Sequence, residues 1–208
     1  MALGTAIAAA RGAQSLEIPE NGYTSLNPPL GPERGGPLST RSTHPATLAR
    51  FNALVAGIGI EVSVSNPHQN RTKGELVAAA AASSPGDFSD GAAGTHSCGK
   101  MNGFRYKGGN PNRHCGLCVP CQVRRASLIA AGVADRTAYL FDSLTGAARE
   151  KLLRHRSGDV YAVQKAILRG LDDTDVIALS PFPPGFDLDA AVDLCERGLK
   201  ELERVPAL

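Results

Sequence analysis

The chain has 208 residues, of which 42% are hydrophobic and 20% are charged, and its formal net charge is +2. This length and apolar content are typical of a soluble globular protein with one good-sized domain, or one domain with an appendage. The small net charge argues against a protein whose whole surface coats nucleic acid or an anionic membrane, although a local basic patch stays compatible with it. No apolar run approaches the ~18 to 20 residues that span a bilayer.

The first part of the chain alternates between helical and strand patterns. In chain order we expect a helix over 2–13, a strand over 15–18, an amphipathic helix over 45–59, a half-buried strand over 60–65, and a third helix from a capping box at Thr72 and Glu75. This order predicts crossover connections and an α/β fold with a mostly parallel sheet, in which ligands bind outside the carboxyl ends of the strands.

The rest of the chain divides into a loop segment and a helical tail. Residues 83–117 show no periodicity, and helices are predicted over 119–133, 147–156, 159–171 and 187–202. We therefore expect three parts, namely an α/β portion over 1–82, a metal-binding loop with its following helix over 83–134, and a helical extension over 135–208.

Four of the five cysteines follow the spacing C-x16-C-x2-C-x2-C. They are Cys98, Cys115, Cys118 and Cys121. Four thiolates at about 2.3 Å complete a tetrahedral zinc site and leave no open position, so the predicted zinc is structural. An iron-sulfur cluster is an alternative, but bacterial clusters of this type place their fourth cysteine where this chain has Arg125.

The cysteine segment also allows two arrangements without a four-cysteine site. The thiols could cluster without a metal, and His96 or His114 could replace one of the four ligands. Clustered cysteines in an odd total favour metal binding in a reducing cytosol over a disulfide framework. Cys195 lies instead on an apolar helical stripe, which predicts a buried core thiol.

The segment around the cysteines is locally basic. Residues 91–134 contain six Lys or Arg residues and no Asp or Glu. Four thiolates and one Zn²⁺ subtract two charges, which leaves about +4 and predicts that an anion lies nearby. A nucleotide phosphate, a nucleic-acid backbone and an acidic partner are the candidates, and a solvated basic loop is the plain alternative.

These motifs carry a family resemblance. The run from SCGK through HCGLCVPCQVRRASLIAAGV resembles the zinc signature of the 7-cyano-7-deazaguanine synthases. PENGYTSLNPPL, GGPLSTRSTHP and NPHQNRTKGEL are most similar to divergent synthase-like proteins of phage-defence operons, the Qat type included. The motifs cover residues 19–132. The resemblance implies a pyrophosphatase-loop α/β domain that activates a deazapurine carboxylate with ATP before an amine attacks it.

One family motif is absent from this sequence. The synthases begin with a strand and an SGGxDS-type loop that cradles the ATP phosphates, and no such loop occurs here. We therefore expect the chain to correspond to the carboxyl-terminal half of such an enzyme, a separate subunit or a truncated descendant. ATP is then expected as a cofactor only when a missing amino-terminal half or an operon-encoded partner supplies that loop.

The resemblance also implies site residues. The expected deazapurine-binding residues follow the first predicted strand or precede the second helix: Glu20, Asn21, Ser39, Thr40, Arg41, Thr43 and His44. The expected phosphate-binding residues are Lys73, Arg124 and Arg125. Ordinary turn, capping and solvated roles are the alternatives for all of them.

Two classes of function follow from these features. One is the deazapurine-binding half of an ATP-dependent synthase or ligase in the cytoplasm, acting in queuosine-type metabolism or phage defence. The other is a zinc-ribbon-like module that binds nucleic acid or a protein without catalysis. Nucleic acid is the less favoured partner, because the basic segment offers only Phe104 and Tyr106 for base stacking.

Overall fold

The computed structural model describes residues 1–30, 41–84, 88–171, 173–177 and 182–206. Within these ranges the chain is mostly helical and contains one two-stranded parallel sheet, so the predicted mixed α/β class is confirmed. The elements are α1 (Ala2–Ala10), β1 (Ser15–Glu17), α2 (Gly22–Leu26), α3 (Pro45–Gly57), β2 (Ser63–Ser65), α4 (Lys73–Ser83), α5 (Phe88–Gly94), α6 (Val119–Ala130), α7 (Leu140–Ser143), α8 (Gly146–Arg169), α9 (Asp173–Ile177) and α10 (Leu188–Leu202), with a 3-10 turn at Gly103–Arg105. None of the helices in the described ranges is both long and apolar enough to cross a membrane.

The chain forms two compact units. The first contains Met1–Thr72 and Leu171–Glu196, and the second contains Lys73–Gly170 and Arg197–Leu208. Helix α10 therefore contributes its first part to one unit and its last residues to the other.

In the first unit, β1 and β2 pair in parallel with Leu16 opposite Val64. A two-stranded sheet leaves unpaired backbone groups along its edges. Asn52 from α3 satisfies two of them on β2, because its Nδ2 donates to the carbonyl of Val64 at 2.8 Å and its Oδ1 accepts from the Val64 amide at 2.8 Å. The side chain of a helix thus takes the place of a third strand at this position.

A small apolar core lies in the same unit. It consists of Leu26, Val176, Ala191, Leu194 and Cys195. Cys195 is completely buried, as its apolar stripe predicts, and burial raises the pKa of its thiol to about 12. It is therefore a packing residue.

The structure corrects three predictions of local structure. The helices expected over 147–156 and 159–171 are one continuous helix, α8, which runs through Gly158. Segment 83–117, expected to be irregular, contains α5 and the 3-10 turn. The short helices α2, α7 and α9 are not predicted by the sequence pattern.

Candidate metal centre

The four cysteines of the predicted zinc site lie together in the second unit. Their sulfur atoms are all within 4.8 Å of one another. The Sγ atoms of Cys98 and Cys118 are 3.9 Å apart, those of Cys115 and Cys121 are 3.9 Å apart, and those of Cys118 and Cys121 are 3.4 Å apart. A zinc tetrahedron with ~2.3 Å bonds has edges of about 3.8 Å, so the cluster has the dimensions and the donor set of a four-thiolate zinc site.

A tight turn and a helix start bring the last three sulfurs together. Gly116 has a φ of +87°, a conformation that side chains other than glycine rarely adopt, and it reverses the chain between Cys115 and Cys118. Cys118 is the N-cap of α6, and Cys121 lies in the first turn of that helix. The backbone bond from Cys121 N–H to the Cys118 carbonyl, 2.9 Å, fixes the pair at the start of the helix.

Backbone amides donate to the sulfurs. The amides of Lys100 and Cys115 lie 3.4 and 3.3 Å from Sγ of Cys98, and the amide of Cys118 lies 3.2 Å from Sγ of Cys115. Such donors stabilise thiolate charge, and the positive end of the α6 dipole adds to this effect at Cys118 and Cys121. The amide donors therefore favour the thiolate form most directly at Cys98 and Cys115.

The thiols also control one another's ionisation. Side-chain hydrogen bonding, first with Cys118 and then with Cys121, holds the pKa of Cys115 far below its usual range. The pKa values of Cys118 and Cys121 are raised, above all by their hydrogen bonds to Cys115. Without a cation the cluster cannot hold four thiolate charges, and a bound divalent ion would displace the remaining protons.

The cluster is sealed inside an apolar core. All four cysteines are buried, and Leu117, Leu140 and Leu152 in the same core are at most 1% exposed. Four protein ligands complete a tetrahedral site, so they leave no position at which a metal could bind a substrate. The residues therefore fit a structural zinc ion, which would stabilise the loop and supply no reaction chemistry.

The two histidines that the sequence offers as alternative ligands are used elsewhere. Nε2 of His114 accepts a hydrogen bond from the Ser97 amide at 2.9 Å, and the His114 ring stacks on His96 with centroids 4.4 Å apart. Burial, followed by the charges of His96 and Arg124, lowers the pKa of His114 to about 4, so this imidazole is neutral at pH 7.

Arg124 is a buried cation beside the metal loop. Its Nε donates to Thr137 Oγ1 at 2.9 Å, its Nη1 to Thr95 Oγ1 and Ser97 Oγ at 2.9 and 3.1 Å, and its Nη2 to the Ala92 carbonyl. The side chain thus fastens the segment that leads into Cys98 to helix α6.

Arg125 points to a different surface. Its guanidinium lies 3.7 Å from the centroid of the Tyr139 ring and donates to Asp142 Oδ2 at 2.6 Å. A Cβ at Gly116 would stand only 3.2 Å from Nη2 of Arg125, so this arginine covers the cysteine turn.

Lys73 and Arg124 line one cavity of about 400 Å³, and Arg125 is not part of its lining. The lining residues come from α4, α5, α6 and the segment before Cys98: Lys73, Val77, Phe88, Gly91, Ala92, Thr95, Ser97, Arg124, Ser127 and Leu128. The structure therefore brings together two of the three predicted phosphate-binding residues. Glu201 also accepts from the Gly74 amide at 3.0 Å and supplies an anion to the first turn of α4.

In the first unit, Glu20 and Asn21 form a local network. Oε1 of Glu20 accepts from Nδ2 and the amide of Asn21 at 2.7 and 3.0 Å. Asn21 is buried and is the N-cap of α2, because its Oδ1 accepts from the Thr24 amide at 2.9 Å. Asn66, just after β2, joins the network through its Nδ2, which donates to the Glu20 carbonyl at 2.8 Å.

The residues before α3 lie close to this network. Thr43 Oγ1 is 2.9 Å from Ser25 Oγ, and Asn66 Nδ2 donates to Ser25 Oγ at 3.1 Å. His44 is the N-cap of α3, with Nδ1 accepting from the Ala46 amide at 3.2 Å. Among the described residues its Nε2 is buried without a hydrogen-bond partner.

Two predicted substrate residues, Ser39 and Thr40, lie outside the described residues. Arg41 borders them, and its carbonyl accepts from the Thr47 hydroxyl at 2.8 Å.

Sequence reasoning missed Phe88, Thr95 and Ser97 as cavity residues. Their signal is weak, since only the Thr-His-Ser run directly before Cys98 hints that hydroxyls surround the metal loop.

No family model, curated protein or solved structure matches the chain. The functional argument therefore depends on its own residues.

Proposed function

We propose that the chain is a zinc-stabilised protein of the 7-cyano-7-deazaguanine synthase-like group, the phage-defence type included. Its role is to bind a deazapurine carboxylate for an ATP-dependent carbon-nitrogen ligation. The observation that carries this proposal is the closed cluster of four buried cysteines that opens helix α6 with Arg124 and Arg125. This arrangement supports the zinc signature on which the resemblance rests.

The fold supports the proposal at a coarser level. The helical crossover between the parallel strands β1 and β2 is the connection expected in the carboxyl-terminal part of a pyrophosphatase-loop domain. The sequence contains no SGGxDS-type loop, so the proposal assigns ATP activation to a polypeptide segment that carries one. The chain described here contributes the deazapurine pocket.

The network around Glu20 and Asn66 is the proposed pocket. Both residues follow the carboxyl ends of parallel strands, where ligands bind in open α/β sheets. A carboxylate at Glu20 can accept from the ring N–H and amino donors of a guanine-like base. His44 and Thr43, at the start of α3, lie where the helix dipole favours the acid group of the ligand.

Calorimetry with the carboxylated deazaguanine tests this pocket. We expect a dissociation constant between about 10 µM and 1 mM. Glu20→Ala should weaken binding by at least ~1.5 kcal/mol, because it removes a charge-assisted hydrogen bond. Glu17→Ala is the matched control, since Glu17 is an exposed glutamate at the end of β1 and the variant should bind as the parent does. Equal affinity in the parent and Glu20→Ala would contradict the pocket.

A second candidate function is supported by a basic groove. A cavity of about 660 Å³ is lined by Arg105, Lys107 and Lys151, and the neighbouring Phe104 is 67% exposed. Cations beside an exposed aromatic ring are the elements of single-stranded nucleic-acid binding. Under this alternative, Lys107→Glu should reduce salt-sensitive binding of single-stranded DNA, whereas Lys165→Glu on the exposed face of α8 should not. Deazaguanine binding would then be absent.

A further inference from the structure

The cavity between α4, α5 and α6 has one polar end and apolar walls. Arg124 and Ser97, which are hydrogen-bonded to each other, define the polar end, Lys73 also lines the cavity, and Val77, Phe88 and Leu128 are among its apolar lining residues. Its volume of about 400 Å³ falls within the ~300 to 1,000 Å³ of small-molecule sites. None of the described residues that line it is acidic.

The polar end carries an uncompensated positive charge. Arg124 is 4% exposed, and within the described ranges its hydrogen bonds all end on neutral oxygens, three hydroxyls and one carbonyl. A desolvated cation that has only neutral partners favours an anion beside it, because the interaction is poorly screened in a buried site.

Donors remain for such an anion. A guanidinium has five N–H donors, and four hydrogen bonds of Arg124 are accounted for by Thr137, Thr95, Ser97 and Ala92. Ser97 Oγ accepts from Arg124, which leaves its own hydrogen for another acceptor. One guanidinium N–H and one hydroxyl suit the two oxygens of a single carboxylate.

The apolar lining residues determine which kind of group the ligand carries besides its anionic group. Phe88 and Leu128 present an aromatic ring and a branched aliphatic side chain, which favour a flat apolar group over a sugar or a polyphosphate. Arg124 is the buried cation of the lining, and the half-buried Lys73 is the second, so the polar groups suit a small anion rather than a triphosphate that carries up to four charges.

We propose that this cavity binds a planar aromatic monocarboxylic acid, with the carboxylate at Arg124 and Ser97 and the ring against Phe88 and Leu128. The cavity belongs to the second unit, whereas the proposed deazapurine residues belong to the first. The site is therefore separate from the proposed deazapurine pocket although the ligand classes overlap, and Glu20→Ala should leave this site unchanged.

Steric filling tests the site without removing Arg124, which also supports the metal loop. Gly91 lines the cavity, and a Cβ there would meet nothing within 4 Å, so Gly91→Leu adds a branched side chain beside the cavity without a clash at its Cβ. Gly94→Leu is the matched control, because Gly94 is in the same helix, is equally open and does not line the cavity.

The measurement is ¹⁹F NMR of 4-fluorobenzoate with the zinc-loaded full chain. We expect a dissociation constant of about 1 mM, a loss of at least ~10-fold in Gly91→Leu, and less than about twofold change in Gly94→Leu. The uncharged 4-fluorobenzamide should bind at least ~10-fold more weakly than the acid.

Three results would overturn the proposal. The first is equal binding of the acid and the amide, which would remove the role of charge. The second is unchanged binding in Gly91→Leu, which would place the acid elsewhere. The third is inorganic phosphate that displaces the acid at equal concentration, which would indicate a general anion site without selection for an aromatic body.

Discussion

Arg124 and Arg125 are neighbours in sequence but have different roles, because successive residues of a helix point about 100° apart. Arg124 is buried and fastens the segment before Cys98, whereas Arg125 covers the turn at Gly116 from outside. The sequence predicts a pair of equivalent phosphate ligands. Its spacing could not reveal that Asp142 and Tyr139, far along the chain, would engage one of the two.

The cysteine quartet is predictable residue by residue, since two-residue spacers and a glycine are sufficient to form the metal turn locally. The residues that surround the quartet in the folded protein are not predictable in this way. The apolar seal over the cluster comes from Leu140 and Leu152, which reach it only through tertiary packing.

His44 makes a prediction at the residue scale. Burial, followed by the charges of Arg41 and Arg50, lowers its pKa from 6.5 to about 4. This histidine protonates near pH 6.5 in the unfolded chain but only near pH 4 in the folded chain. Protons therefore bind preferentially to the unfolded chain between these two pH values, and the folded state loses stability as the pH falls from 6.5 toward 4. Between pH 7 and 5 we expect the free energy of unfolding to fall by about 2 kcal/mol through this group.

His44→Asn isolates this effect. Asparagine keeps an N-cap acceptor for α3 but does not titrate. Urea unfolding of both zinc-loaded proteins at pH 7 and pH 5 measures the difference, and the pH dependence common to all other groups cancels. Parallel losses of stability in the two proteins would show that His44 does not titrate as described.

At the scale of elements, periodicity predicts the long helices and fails for the short ones. Helices α2, α5, α7 and α9 have 5, 7, 4 and 5 residues, less than two full turns each, which is too short to show a repeating apolar face. The strands β1 and β2 are recognisable in the sequence, but each has only 3 residues, shorter than the pattern indicates.

Helix α8 shows how tertiary contacts override a local break. Ser157 and Gly158 are weak helix formers, which is why the sequence predicts two helices. The helix continues because residues on both sides of them are anchored: Leu152 and Val163 are buried, and Asp159 pairs with Lys100.

Gly158 therefore provides a prediction at the element scale. It is exposed, and a Cβ at this position would meet nothing within 4 Å. Gly158→Ala should raise the free energy of unfolding by about 0.5 to 1 kcal/mol, because alanine loses less backbone entropy on entering a helix. Urea denaturation measures the change. Gly22→Ala is the contrasting variant, since its Cβ would lie 1.9 Å from the Gln69 carbonyl oxygen and should destabilise the protein. Destabilisation by Gly158→Ala would show that the helix is interrupted at this point.

At the scale of the whole molecule, carboxylates from outside the basic segment neutralise part of its positive charge. The basic segment over 91–134 contains no acidic residue, but Lys100 pairs with Asp159 and Arg125 pairs with Asp142. The excess of positive charge is evident in the sequence. The sequence does not show which of these positive charges the fold neutralises. Arg124 has only neutral hydrogen-bond partners among the described residues.

The cysteine cluster supplies the prediction for the whole molecule. A structural zinc ion binds with roughly 10 to 16 kcal/mol, which is as large as the ~5 to 15 kcal/mol stability of a typical domain. Since the four cysteines form part of the core of the second unit, we expect the purified chain to contain one zinc ion and to need it for that core. Inductively coupled plasma mass spectrometry measures the zinc content, and hydrogen exchange measures whether the core amides stay protected.

Two cysteine variants make the same chemical change at different sites. Cys118→Ala removes one of the four candidate ligands, so zinc content should fall well below one per chain and amide protection over 98–144 should be lost. Cys195→Ala removes a buried thiol outside the cluster, so it should retain one zinc and cost only about 1 kcal/mol of stability. A brown protein that contains iron and sulfide would show that the four cysteines bind an iron-sulfur cluster and not zinc. Unchanged protection in a metal-free Cys118→Ala protein would show that the apolar core holds the loop without a metal.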